Sequence, residues 1–594
     1  MPAVPKLRAV ALDYDGTLTT GARPDDDVLA ALAEVRAAGQ RVVLVTGRIL
    51  AELRHVFPDV DDHVDAIVAE NGTVVSGATG HRRLVPPVPP VLEDALTRRG
   101  VPVRGGEVLL ACDAAHGEIV FEEVRRLGLD CQVLYNRAAL MVLPAGTSKG
   151  IGLREALGDL GISPHDAVAV GDAENDHALL DACEVGVAVA NAVPSLRSRA
   201  DLVLDEVNGA GVAALLRGPV VGGDRIVRPV RWRVPIGRRP DGSVAFLPGT
   251  PANVLVVGGS NAGKSYVAGL FAEGLLELGY TVVVIDVEGD HAGLVTLPGV
   301  LSMGGPNRLP TPEEICAPVR RAFASVVVDL SMLAPAEQDA FVASLLAVLD
   351  DVRRETGLPH WVLVDEAHRP FGTGDAARPS LATPGHCLIT WDPSSLHVDV
   401  RSAVDVVLAL PSRPDAGPGP DRADDTPALL AAWPQDTDVD PVAAFGELEP
   451  GQAIAVGPER GVEVITLATR RTPHVRHWHK YALAELPADK QFRFRDHGAV
   501  TGQVAANTFE FHHILRLCDA SVIDHHLRHH DFSRWARESL QDAALAAALA
   551  AIEQDHPGGI AGGITGGITG GIGAARERLV HAVEERYQPG SGRT

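Results

Sequence analysis

Short apolar runs alternate with amphipathic stretches along the first 217 residues. "RAVALDY" (8–14), "RVVLVTG" (41–47) and "AVAVGD" (167–172) have the length and the Val/Ala/Leu content of buried strands. "DDDVLAALAEVRAAG" (25–39) carries its apolar residues at helical spacing. Strands alternating with helices predict a parallel sheet, with chemistry at the strands' C-terminal ends. Residues about 78–145 interrupt this rhythm: "GEVLLAC", "AHGEIVFEEVRRLG", "DCQVLYN" and "ALMVLPAG" predict a small α/β insert, a cap. Residues 218–250, rich in Gly, Pro and Arg, read as a linker and a short β lead-in.

A second strand–helix series occupies 251–488, with "ANVLVV", "YTVVVIDV", "ASVVVDL", "HWVLVDE", "HCLIT" and "DVVLAL" as strands and 334–357 as a helix. A Pro- and Asp-rich stretch (411–441) predicts an exposed loop, and 445–470 a return to strands. Residues 489–556 form a small helical module, with a helix start at Asp531-Phe-Ser533. In 557–594 the repeat "GGIAGGITGGITGGIG" reads as a linker before a final charged helix, "AARERLVHAVEERY". The fold class expected is multidomain α/β: two sheet domains and a helical C-terminal module.

The length of 594 residues agrees, since it suggests about three or four domains. A net charge of −24 disfavours a general polyanion binder. Six dispersed cysteines form no C-x-x-C pair, and neither a signal-peptide pattern nor a membrane-length apolar run occurs, so the expectation is a reduced, cytoplasmic protein. The chain has 53 Lys plus Arg, but its only lysines are Lys6, Lys149, Lys264, Lys480 and Lys490. A lysine in so Arg-rich a chain marks places where a compact ammonium cannot become a guanidinium fork. Lys149 and Lys264 are also the two that chemistry singles out.

"LDYDGTLT" sets Asp13 and Asp15 two apart at the end of a strand. Both carboxylates can face one phosphate, Asp13 as nucleophile and Asp15 as proton donor and later as base. Thr46 in "LVTGR" offers a hydroxyl, and Lys149 in "TSKG" a positive charge at a helix start. Asp172 and Asp176 in "VGDAENDHALL" are hard oxygen ligands suited to Mg2+. With "ENG" (70–72) and "VAVANAVPSLRSRADLVL" (187–204), these motifs make residues 5–217 resemble the haloacid dehalogenase superfamily of phosphatases. The nearest likeness is to its capped Cof-like, sucrose-phosphate and archaeal phosphoglycolate phosphatase subgroup. The resemblance implies an aspartyl-phosphate mechanism on a small phosphoester. It also implies Mg2+ on Asp13, the backbone carbonyl of Asp15, and Asp172.

"VVGGSNAGKSY" (256–266) fits a glycine-rich phosphate cradle, with Gly258, Gly263, Lys264 and Ser265 at the spacing G-x-x-x-x-G-K-[ST]. Gly259, Ser260, Asn261, Ala262 and Tyr266 complete the candidate ATP-binding turn, with Ser265 toward Mg2+. "HWVLVDEAH" (360–368) places Asp365 to support the Mg2+ shell and Glu366 to polarise water. The wider pattern resembles the HerA/FtsK-like branch of RecA-fold ATPases, through "VPIGR" (234–238), "VVVIDVEGDHAGL" (282–294) and "HCLITWDPSSL" (386–396). Thr390 matches that branch's sensor threonine, whereas Trp391 stands where Gln or His is expected. The resemblance implies a homo-oligomer, often a hexameric ring, with an arginine reaching across subunits. Arg401, Arg470 and Arg471 are candidates, although a surface-solvating role is the expectation for each.

"RRTPHVRHWHKY" (470–481) mixes basic and aromatic residues but reads better as a closing strand or loop than as a nucleic-acid contact. His525 and His529 share the helical i, i+4 spacing of a metal-binding pair, but their His-rich segment, with no Cys or clear third ligand, reads better as an interaction module. The function expected is a phosphatase whose partner is a small phosphorylated substrate, fused to an ATPase that regulates or assembles it. The alternative is a ring-shaped nucleic-acid translocase with an accessory phosphatase acting on nucleotides or strand ends.

Overall fold

The computed structural model describes residues 7–20, 23–136, 139–259, 262–305, 308–372, 381, 383–411, 425–432, 439–457, 461–472, 486, 488, 490–540, 542–555 and 571–587. The early strand runs form an eight-stranded sheet in the order Leu202–Val203, Val185–Ala188, Ala167–Gly171, Ala9–Asp13, Arg41–Val45, Ala66–Ala69, Val74–Gly77 and Gly80–Arg83. The first six are parallel, and the last two add an antiparallel hairpin. Ala9–Asp13 is wholly buried, so its alternating side chains meet helices on both faces.

The insert is a four-stranded antiparallel sheet, Arg104–Gly105, Leu110–Asp113, Ala139–Pro144 and Cys131–Asn136, with the helices Pro90–Arg98 and Gly117–Leu127. The break expected near residue 78 falls inside the 74–83 hairpin, which pairs with the main sheet rather than with the insert.

The second series builds an eleven-stranded sheet. Seven parallel strands come in the order Val406–Leu410, Asn253–Gly258, His386–Thr390, Trp361–Val364, Val282–Asp286, Ser325–Asp329 and Val300–Gly304. Four antiparallel strands extend one edge, among them Arg233–Arg238 and Val244–Pro248 from the stretch read as a β lead-in. The C-terminal module packs the helices Thr508–Leu517, Ala520–His529, Asp531–Glu538, Ala543–Gln554 and Ile572–Tyr587 against the hairpin Phe492–Asp496/Ala499–Ala505. Residues 556–570, which hold most of the glycine repeat, and 473–481, most of the basic-aromatic stretch, lie outside the described residues. Among the described residues, no helix is long and apolar enough to cross a membrane.

The two large sheets meet at the N-terminal ends of their strands. Glu184, just before Val185–Ala188, is the centre of the contact. Thr250 Oγ1 and Tyr280 Oη donate to its carboxylate at 2.6 and 2.8 Å, and His165 Nδ1 lies 2.7 Å from it. The indole N–H of Trp232 donates to the Glu184 carbonyl at 2.9 Å, and the His165 ring stacks on Tyr280 with centroids 3.7 Å apart. Arg8, next to the first strand, donates to the Arg354 carbonyl at 2.8 Å. Glu184 is buried, so an uncompensated charge there would be costly, and the three partners compensate it.

Candidate active sites

Asp13 closes the central strand of the first sheet, and Asp172 follows the neighbouring strand Ala167–Gly171. Lys149 is the first residue of the helix Lys149–Asp159, which Ser148 caps. Its ammonium reaches between two carboxylates, 2.5 Å from Asp13 Oδ1 and 2.6 Å from Asp176 Oδ1. Asp176 is fixed in turn, because its Oδ2 accepts the N–H groups of Asp172 and Ala173 at 2.9 and 3.0 Å. Asp172 Oδ1 accepts a bond from Thr17 at 3.3 Å.

Asp13, Lys149, Asp172 and Asp176 are all buried. Burial, followed by the Asp176 charge, pushes the Asp13 carboxyl well above the usual carboxylate range, against the pull of Lys149. Burial acts against the Lys149 charge, but the two carboxylates outweigh it and its ammonium is held more firmly than usual. One oxygen each from Asp13, Asp172 and Asp176 lie within 4.8 Å of one another. Three buried carboxylates around one ammonium leave an excess of negative charge, and a hard divalent cation fits that donor set.

Asp15 stands at the edge of this cluster. Arg48 grips it through two bonds, of 2.7 Å from Nε and 2.5 Å from Nη2. Thr46 Oγ1 accepts the Arg48 N–H at 3.1 Å, so the strand end that supplies Thr46 also orients the arginine. Arg48 was not among the residues expected at this site, although it follows "LVTG" directly in the sequence. Glu70 of "ENG" has a distinct part. Its buried carboxylate accepts the N–H groups of Glu107, Val108 and Leu109 at 2.8, 2.8 and 3.1 Å, tying the insert to the site. Glu70 and Asn71 both adopt positive φ, of 51° and 55°, in the tight turn that makes this reach possible.

The profile of haloacid dehalogenase-like hydrolases matches residues 10–84 and 122–216. The phosphoglycolate phosphatase of Methanothermobacter thermautotrophicus is 32% identical over 229 residues, which is 36% of this chain and 98% of the relative. The chain belongs to the haloacid dehalogenase-like hydrolase family. The phosphoglycolate phosphatases of Methanopyrus kandleri and Halorubrum lacusprofundi are 34% and 35% identical, each over 35% of this chain and 95% of their own length. The N-terminal domain is thus a haloacid dehalogenase-type phosphatase, of a superfamily whose phosphotransferases generally use Mg2+.

A second constellation lies at the C-terminal strand ends of the eleven-stranded sheet. Asn253–Gly258 leads through the glycine-rich turn into the helix Lys264–Glu277. Gly258 (φ 156°) abuts the next strand, where a Cβ would come within 2.8 Å of the Leu410 carbonyl, and Gly263 (φ 99°) caps the helix. Lys264 Nζ donates to the Gly259 carbonyl at 3.0 Å. Ala262, Gly263 and Ser265 complete the described part of the turn, whereas Ser260 and Asn261 lie outside the described residues.

The Tyr266 side chain has structural partners. Its hydroxyl donates to the Ala468 carbonyl at 3.3 Å and accepts the Arg470 N–H at 2.9 Å, fastening the helix to the closing strand. Arg470 itself is buried against Glu273 at 3.0 Å, so neither the surface role nor a reach to a neighbouring subunit fits it.

Asp365 and Glu366 follow the strand Trp361–Val364. Glu366 has a positive φ of 49°, the kind of local strain that clusters at functional positions. Burial, then the charge of Glu288, pushes its carboxyl up to about 7, and an N–H of Trp391 bonds to it. His368 lies 3.2 Å from Glu366, with Nδ1 also 3.1 Å from Thr390 Oγ1, and its ring packs on Trp391 at 5.4 Å. Thr390 and Trp391 therefore address Glu366, Thr390 through His368 and Trp391 directly. His368 was not among the expected residues.

In the C-terminal module, the rings of His525 and His529 lie tilted against each other with centroids 4.3 Å apart, but Nδ1 of His529 is taken up by the His525 carbonyl at 2.7 Å. Both ring nitrogens of His526 are used, by Asp531 at 2.7 Å and by the Arg495 N–H at 2.9 Å.

Proposed function

We propose that residues 7–217 hydrolyse a small, acidic phosphate monoester of the phosphoglycolate or sugar phosphate type through an aspartyl-phosphate on Asp13. The observation that carries this reading is the Lys149 ammonium, clamped between Asp13 and Asp176 with Asp172 alongside. Mg2+ bound by Asp13, Asp172 and the backbone carbonyl of Asp15 would neutralise the anionic phosphate. Asp13 attacks phosphorus, and Lys149 keeps its carboxylate oriented and offsets the charge that gathers during transfer. Asp15, steered by Arg48, protonates the departing oxygen and then takes a proton from the water that cleaves the acyl-phosphate. Thr46 donates its hydroxyl to the phosphate. The insert tied down by Glu70 shelters the site and selects the substrate.

Residues 251–488 bind and hydrolyse ATP in the manner of HerA/FtsK-like enzymes in this reading. Backbone N–H groups from Gly258 to Ser265 would surround the phosphates, with Lys264 on the outer oxygens. Ser265 and Asp365 would hold Mg2+, and Glu366 orients the attacking water. The ATP site regulates the phosphatase through the Glu184 contact, because the helix after the turn ends at Glu277, beside Leu278 and Tyr280.

A substrate screen on wild type, Asp13→Asn and Lys264→Ala, each with and without ATP, tests both halves. Asp13→Asn should abolish phosphate release from every phosphoester. Lys264→Ala should keep the phosphatase and lose its response to ATP. Phosphatase activity surviving Asp13→Asn would sink the first half, and an unchanged ATP response in Lys264→Ala the second.

A further inference from the structure

Three ligand-type side chains meet beside the glycine-rich turn, and the proposed ATP chemistry uses only one of them. Asp286 ends the strand Val282–Asp286, Asp365 follows Trp361–Val364, and His291 lies just beyond the turn after Asp286. All three are buried, and one donor atom from each lies within 4.8 Å of the others. Asp286 organises this turn, accepting the N–H groups of Gly289 and Asp290 on Oδ1 and of His291 on Oδ2, at 2.8, 3.1 and 2.8 Å.

Asp365 is 4% exposed. Its Oδ1 accepts the Glu366 N–H at 3.0 Å, but its Oδ2 is buried with no hydrogen-bond partner. A buried carboxylate oxygen left so is costly unless a cation meets it. The surroundings add to the need, because Glu288, Asp290, Asp329 and Glu366 all act on Asp286 or Asp365. On the positive side, Lys264 and Arg369 act on Glu366.

We propose that Asp286, His291 and Asp365 hold one divalent first-row transition-metal ion, of the Mn2+, Fe2+ or Zn2+ class, without any nucleotide. Two carboxylates neutralise the ion, and the imidazole nitrogen favours a transition metal over Mg2+ or Ca2+. Opposed ligands at bonds of about 2.1 Å span about 4.2 Å, so the observed spread closes with a small side-chain adjustment. The inference is independent of nucleotide binding: a Mg2+ ion arriving with ATP would leave Asp286 and His291 without a part. It is also distinct from the phosphatase cluster, where Asp13, Asp172 and Asp176 offer oxygen only.

The test uses the full chain, free of nucleotide, titrated with Mn2+ alone and read by pulsed electron paramagnetic resonance for coupling to histidine nitrogen. Wild type should show one nitrogen-coupled Mn2+ per chain. His291→Ala should lose that coupling and one equivalent of bound Mn2+, whereas His525→Ala should keep both. Asp365→Asn, which preserves shape, should weaken the nitrogen-coupled site at least tenfold, and it stands in if His291→Ala fails to fold by circular dichroism. Absence of nitrogen coupling in wild type overturns the proposal, as does coupling that survives His291→Ala or disappears in His525→Ala. ATP affinity, measured separately, bears on the ATPase reading and not on this one.

Discussion

Replacing Lys149 by arginine keeps the charge and should nevertheless destroy the phosphatase. The ammonium sits 2.5 and 2.6 Å from its two carboxylates and is 1% exposed, so a planar guanidinium has no solvent to expand into. The walls are rigid as well: a Cβ at Gly72 would lie 2.0 Å from the Ser148 carbonyl, and one at Gly150 2.2 Å from the Ala178 carbonyl. Extra volume in such a core costs about 1–3 kcal/mol. Losing or displacing a donor positioned for the transition state costs about 10²–10³-fold in rate, or about 2.7–4 kcal/mol. Lys149→Arg should therefore lower kcat on p-nitrophenyl phosphate with Mg2+ by at least about 10²-fold and lower the urea midpoint of the domain. Lys149→Met, which removes the charge without adding volume, should lose activity to the same degree. An arginine variant retaining more than about a tenth of wild-type kcat/KM, a barrier change of less than about 1.4 kcal/mol, would refute the claim that this site needs a compact cation.

In the proposed ATPase, Glu366, pushed up to about 7 by burial and Glu288, would act only when ionised, so ATP turnover should fall as pH drops below about 7. Glu288→Gln should move that midpoint downward in a kcat–pH profile, and an unmoved midpoint would remove Glu366 as the titrating base. Tyr280→Phe takes a donor from the buried Glu184 carboxylate and should cost about 1.5–3 kcal/mol in chemical denaturation. A double-mutant cycle with Glu184→Gln should return coupling above about 0.5 kcal/mol, since the two groups are in contact. Glu70→Gln replaces an acceptor of three N–H groups with an amide that itself carries donors. It should speed proteolytic cleavage around Gly105–Leu109 and lower kcat/KM on a small phosphoester, and wild-type cleavage kinetics would count against Glu70 as the anchor of the insert.

Legibility in the sequence followed distance along the chain. Asp13, Asp15, Thr46, Asp172 and Asp176 sit at strand ends or in the short turns just beyond them, so apolar runs and the residues after them located the site before any contact was known. The strand order was not readable in that way, because it depends on which distant runs pair. Arg48 escaped notice because its partner lies 33 positions away, and the part played by Glu70, seen only as a letter of "ENG", because it binds backbone, which carries no residue signature. Arg470 was misread for the opposite reason: in an Arg-rich chain nothing local separates a buried arginine from a surface one, and its partner Glu273 is 197 positions distant. The hairpin at 492–505 alternates Phe with Arg at its start, but the glycines within it masked the period.

The junction around Glu184 has a consequence for chemical traffic. Strands of both sheets start near it, so Asp13 and the proposed ATP site both lie at the ends of their strands remote from Glu184. Five-residue strands such as Ala9–Asp13 and Val282–Asp286, rising about 3.3 Å per residue, carry each of those ends roughly 13–17 Å from where its own strand begins. In the proposed two-site reading neither mouth opens at the junction, so orthophosphate from one would reach the other through bulk solvent. In that reading a signal between the halves would travel as displacement of a shared buried carboxylate, and a soluble inhibitor of either mouth should leave the other open to its own substrate.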